Sequence, residues 1–133
     1  MFEIKAKVDY GLLIMIELAQ NQFELTPLSV IAKRMGVSSA YLSQIASGLI
    51  RADLIKSKEG TGGGYSLVKP ARQISVLEIV EALEGEIKLT CVLGDGSTCP
   101  HSDNCQLRSA WSEILPDLKN ILKKRNLASL LKK

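Results

Sequence analysis

The sequence contains no uninterrupted apolar run approaching the roughly 18 residues that a membrane span requires. Met1 is followed by Phe-Glu-Ile-Lys-Ala-Lys, without the apolar core and small-residue cleavage site of a secretory leader. A cytoplasmic protein with no membrane partner is therefore expected. No internal repeat or low-complexity tract appears, which excludes solenoids and flexible arrays. At 133 residues, 46% apolar and 23% charged, the chain is too short for two large domains. It suffices for one compact domain with an appendage, or for a protomer that completes its core by dimerising.

Histidine occurs once, as His101, and cysteine only three times. All three cysteines, Cys91, Cys99 and Cys105, fall within fifteen residues, separated by seven and five others. The stretch between them is rich in Gly, Asp and Ser, too polar to build a core of its own. An odd number of thiols cannot pair off as disulfides, and a reducing cytosol keeps thiols free as ligands. Soft thiolates suit an iron–sulfur cluster or zinc. The loop reads as a metal site with three protein sulfurs and a fourth position to fill.

The net charge is only +3, but it is unevenly spread. Residues 33–72 hold seven cations (Lys33, Arg34, Arg51, Lys56, Lys58, Lys69, Arg72) against Asp53 and Glu59. Such a window attracts phosphate backbones through counterion release, although a solvated basic face has the same composition.

Hydrophobic spacing organises the rest. Val8, Leu12, Met15, Ile16 and Ala19 mark a first helix that ends near Gln20. A second begins near Pro27, carries Leu28, Ile31, Ala32 and Met35, and stops at Gly36. A third starts from a Ser38 or Ser39 cap and runs through Tyr41, Leu42, Ile45 and Ala46 toward Leu49. Two short helices joined by a glycine turn predict a helix-turn-helix. Two short strand-like runs follow, residues 54–58 and 65–68, around Glu59-Gly60-Thr61-Gly62-Gly63-Gly64. That predicts a basic β-hairpin wing whose glycines let the backbone approach phosphates. The glycine run lacks the Gly-Lys-Ser/Thr ending of a nucleotide-phosphate loop.

Ser75 and Glu78 form a capping-box pair opening a helix with Val76, Ile79, Val80 and Leu83 inward and Gly85 at its end. From about Asp103 a long helix carries Leu107, Trp111, Ile114, Leu118, Ile121 and Leu122, with an interruption expected at Pro116. Its apolar stripe calls for a second copy of the chain, or for folding back onto the first helix. The expected fold class is mainly α with a small β-hairpin: a winged helix-turn-helix DNA-binding domain over residues 1–85, then a cysteine loop and long C-terminal dimerisation helix over 86–133.

Together these features resemble the Rrf/BadM family of bacterial winged-helix regulators over nearly the whole chain. The resemblance rests on Ser38, Tyr41, Leu42 and Gln44, on Gly62-Gly63-Gly64-Tyr65, on Ile79 to Gly85, and on the cysteine triad. It implies a homodimeric repressor that binds a double-stranded DNA operator and changes its affinity when an iron–sulfur cluster is gained, lost or modified. Cys91, Cys99 and Cys105 match the family's ligands, for a 4Fe-4S in preference to a 2Fe-2S cluster. Where some members place a ligating histidine three positions after the last cysteine, this chain has Arg108. In another branch an aspartate near the start of the first helix, supplied by the other subunit, is the fourth ligand, and Asp9 stands at the matching position. Asp9 also reads as a carboxylate stabilising a helix N-terminus, and His101 as a ligand or an exposed loop residue.

On the DNA side, Ser38, Ser39, Tyr41, Ser43 and Gln44 lie at the start of the recognition helix, where side chains meet base edges. Tyr41 also reads as a core residue with its hydroxyl at the rim. Glu59 replaces a groove-reading arginine of some relatives, leaving Lys56 and Lys58, with Gly62 and Gly63, to meet the phosphates. One other reading remains open, a cluster-free thiol-redox or zinc-stabilised regulator of the same fold. A thiol enzyme using a cysteine with His101 and an aspartate is set aside, because nothing else in the chain builds an oxyanion site or substrate pocket, and no enzyme is expected.

Overall fold

The computed structural model describes residues 4–22, 24–88 and 105–131. Its elements are α1 (Ala6–Gln20), α2 (Leu28–Met35), α3 (Ser39–Arg51), β1 (Ile55–Lys58), β2 (Gly64–Leu67), α4 (Val76–Glu84) and α5 (Gln106–Lys124). Single 3-10 turns occupy Ala71–Gln73 and Leu127–Leu130. The architecture is the expected one, mainly α with a two-stranded antiparallel wing. Among the described residues no helix is long and apolar enough to cross a membrane.

The helix-turn-helix is set by local chemistry. Gly36 adopts a left-handed conformation (φ 69°, ψ 30°), and its N–H donates back to the carbonyls of Ala32 and Lys33, which ends α2. Two residues later the Ser38 hydroxyl accepts the Tyr41 N–H at 3.1 Å and starts α3. Leu42, Ile45, Ala46 and Leu49 then anchor α3 in the core beside Ile14, Met15 and Leu18 of α1. Pro27 caps α2 from outside rather than occupying its first turn.

The wing pairs Ile55 with Leu67, Lys56 with Ser66, Ser57 with Tyr65 and Lys58 with Gly64. Its second strand is fastened to the α1–α2 connection by two hydrogen bonds between Thr26 and Tyr65, at 3.0 and 2.9 Å. Gly64 (φ 150°) is required there, because a Cβ would press on the Thr26 carbonyl at 2.7 Å.

The expected capping box of α4 is present: the Ser75 hydroxyl accepts the Glu78 N–H at 3.1 Å and Glu78 Oε2 accepts the Ser75 N–H at 2.8 Å. Glu78 Oε1 also meets Lys69 Nζ at 2.9 Å, tying the helix to the end of the wing. Val76 and Ile79 are buried, whereas Val80 and Leu83 are half-buried.

Two features differ from expectation. Helix α5 is continuous through Pro116. Proline removes the bond to the Ser112 carbonyl, but both residues are exposed, so water can satisfy the freed oxygen. The chain after α5 also returns to the N-terminal half. Val76 N–H donates to Arg125 O at 2.9 Å, Leu127 N–H to Ile74 O at 2.8 Å, and the Leu127 side chain is fully buried. Leu127 thus belongs to the core formed by the N-terminal half.

Candidate nucleic-acid interface and metal centre

Burial of one side of α3 dictates what the other side presents. Ser39, Ser43 and Gln44 are exposed, as is the capping residue Ser38, whose hydroxyl is already engaged with the Tyr41 N–H. Tyr41 is half-buried, its ring at right angles to Tyr10 of α1 with centroids 5.5 Å apart. Sequence reasoning missed the continuation of this strip. Ser47 donates to the Gln44 carbonyl at 2.7 Å and Arg51 Nη1 reaches Ser47 Oγ at 3.5 Å. The signal was available: Ser43, Ser47 and Arg51 recur every fourth residue, the spacing of one helix face.

The wing places Lys56 and Lys58 two residues apart on one strand face, both exposed, beside a shallow groove of about 430 Å³. Gln22, Glu24 and Leu25 line its far wall. Gly62 is exposed at the tip and Gly63 half-buried, where a side chain would collide with the Lys58 carbonyl. Of the seven cations in the basic window, two are committed elsewhere: Arg34 pairs with Glu17 at 2.6 Å and Lys69 with Glu78. Lys33, Arg51, Lys56, Lys58 and Arg72 are exposed and make no ion pair among the described residues.

Of the expected metal ligands, Cys91 and Cys99, like His101, lie outside the described residues. Cys105 is half-buried and caps α5, its Sγ accepting the Arg108 N–H at 3.4 Å. Asp9 is exposed in the first turn of α1. Among the described residues no three His, Cys, Asp or Glu side chains gather into a metal-binding group. The donor set of three thiols in one loop still fits a soft metal, with Arg108 unable to complete it.

Helix α5 carries an exposed apolar stripe: Leu107, Trp111, Ile114, Leu118 and Ile121 are 40–72% exposed. The flank beside it, Leu115, Lys119 and Leu122, is half-buried. Lys119 reaches Glu86, just beyond α4, at 3.8 Å.

The sequence model of the Rrf2 family, described as an iron-dependent transcriptional regulator, matches residues 4–133. Over 129 residues the chain is 33% identical to the HTH-type transcriptional regulator IscR of Cronobacter sakazakii, covering 96% of this chain and 79% of the relative. Among solved structures, CymR, the global cysteine regulator of B. subtilis, superposes with a TM-score of 0.78 at 35% identity, over 98% of this chain and 96% of its own. The oxidized form of Staphylococcus aureus CymR superposes with a TM-score of 0.73 at 31% identity, over 99% and 98%.

Proposed function

The chain belongs to the Rrf2 family of DNA-binding transcriptional regulators, and is not an enzyme, and from that membership we propose that it is a homodimeric repressor controlled by an iron–sulfur cluster. The observation that carries the DNA half is the exposed polar strip of α3 next to a wing bearing Lys56 and Lys58. In this reading Gln44 reads a base edge, Ser38, Ser39, Ser43 and the Tyr41 hydroxyl meet bases or phosphates, and the two lysines follow the backbone while Gly62 and Gly63 let it approach.

Cys91, Cys99 and Cys105 would hold the cluster, of the 4Fe-4S type, with Asp9 of the partner subunit as the fourth ligand. When bound, such a cluster supplies a redox-sensitive corner, because a hard carboxylate oxygen is a weak partner for sulfide-softened iron. The chain does the rest. Cys105 fixes the first turn of α5, and the far end of that helix is bonded through Arg125 and Leu127 to residues 74–76. A change at Cys105 is thereby carried to the base of the wing through Ser75, Glu78 and Lys69. The α5 stripe pairs two copies.

A second reading, a thiol-redox or zinc-stabilised regulator without iron, is supported by the 31% identity to a CymR described as oxidized. Anaerobic purification separates the two. A coloured protein with stoichiometric iron and sulfide, and operator affinity that changes on cluster loss, supports the first reading; colourless protein with zinc supports the second.

A further inference from the structure

Gly48 lies inside α3, buried and at ordinary helical dihedrals, yet packing does not demand a glycine there. A Cβ would stand 3.5 Å from the Ala82 carbonyl and 3.8 Å from Leu83 Cδ2 and Arg51 Nη2, all ordinary contacts. Gly11 is the contrast, because a Cβ there would collide with the Leu83 side chain. A glycine inside a helix weakens it relative to alanine, so a position that tolerates alanine but holds glycine leaves space at a cost in stability.

That space is a cleft of about 300 Å³ between α3, α4 and the start of α1. Ile45, Ala82 and Leu83 form an apolar floor, and Lys7, Arg51, Tyr41 and Gln44 supply the polar rim. Among the described residues no carboxylate lines it. Glu84, at the end of α4, is shared between Lys5 at 3.7 Å and Lys7 at 3.9 Å, too few charges to neutralise the rim.

We propose that this cleft binds a small organic anion, a carboxylate with a branched or aromatic apolar body. Arg51 and Lys7 take the carboxylate, and the floor opened by Gly48 takes the body. A DNA phosphate shares the anionic chemistry but has no apolar body to place on Ile45, Ala82 and Leu83. Because Gln44 belongs to both the rim and the exposed strip of α3, occupancy alters operator reading. This last link rests on the DNA-binding role proposed above, whereas the binding itself does not.

The test titrates the full chain, without DNA, with 3-methylbutanoate and phenylacetate, their neutral amides and inorganic phosphate. Backbone amide shifts are followed by NMR. Saturable carboxylate binding is expected, with shifts centred on Gly48 and Ala82 and the amides about tenfold or more weaker. Arg51→Gln should weaken carboxylate binding by about tenfold. Gly48→Ala, which the geometry accepts, should keep the fold and still weaken it. The proposal is overturned if no carboxylate saturates the cleft, if both variants bind as the parent does, or if inorganic phosphate binds as tightly as the carboxylates.

Discussion

The rings of Tyr10 and Tyr41 meet at 88° with centroids 5.5 Å apart, which fastens the first helix to the opening turn of the recognition helix. Edge-to-face pairs contribute about 0.5–1.5 kcal/mol beyond their buried area. Tyr41→Phe should leave urea stability within about 0.5 kcal/mol of the parent, while Tyr41→Ala should lose about 3 kcal/mol. Any operator affinity lost in Tyr41→Phe then measures the hydroxyl alone. Equal destabilisation by both variants would show that the ring pair contributes nothing.

Gln44 and Lys58 should fail differently on DNA. Gln44→Ala should cost about 1–3 kcal/mol at one base pair and little at others. Lys58→Ala should weaken every sequence alike and reduce the logarithmic salt slope by about 1. Titrating the operator and single-base variants at two salt concentrations distinguishes them, and the opposite assignment of effects would relocate the groove contacts.

Burial pushes the Glu78 carboxyl up, but the Ser75 backbone N–H, then the Lys69 hydrogen bond and charge, outweigh it and hold its pKa below the ordinary glutamate value. A carboxylate depressed in the folded state stabilises above its unfolded pKa, and that contribution disappears as pH falls through the folded value. Glu78→Gln should therefore lower Tm at pH 7, with the gap to the parent closing as acid protonates Glu78. A gap of constant size across that range would mean that charge plays no part.

Leu127 is fully buried although it follows the long helix. Leu127→Ala should cost about 2–5 kcal/mol in global unfolding and should reduce protection of the Ile74 and Val76 region in hydrogen exchange. Loss confined to residues near 127, with the rest of the core unaffected, would contradict the shared core.

The metal and the dimer should separate genetically. Cys99→Ala is expected to abolish visible absorption yet sediment as a dimer, whereas Trp111→Glu should yield monomers by placing a charge in the α5 stripe. Asp9→Ala should shorten cluster lifetime in air. Monomeric Cys99→Ala would make the metal, rather than α5, responsible for association.

Much of this architecture is legible in the chain because its signals are local. Gly36 with Ser38, and Ser75 with Glu78, act within four residues, so the turn and both caps fall where their chemistry dictates. The wing is equally local, two short runs around a glycine loop. What escaped sequence reasoning depends on distant partners. Thr26 meets Tyr65 across thirty-nine positions of sequence, and Asn126 meets Ser75 across fifty-one, with no pattern that announces either pairing. Leu127 stands in a short cluster after Lys123-Lys124-Arg125, without the periodicity that marks a core element. Pro116 misleads for a related reason, since α5 runs on through it at an exposed position where the freed Ser112 carbonyl can bond water. The cysteine triad is conspicuous by composition, but of its members only Cys105 has a described place.

Because Leu127 fills the space beneath Ile74 and the first helix, the N-terminal half cannot reach its final packing while it is still being synthesised. Some fifty residues of later sequence, including all three thiols, must emerge from the ribosome before that core closes. Long-range closure of this kind makes maturation of the fold that reads DNA slow relative to helix formation.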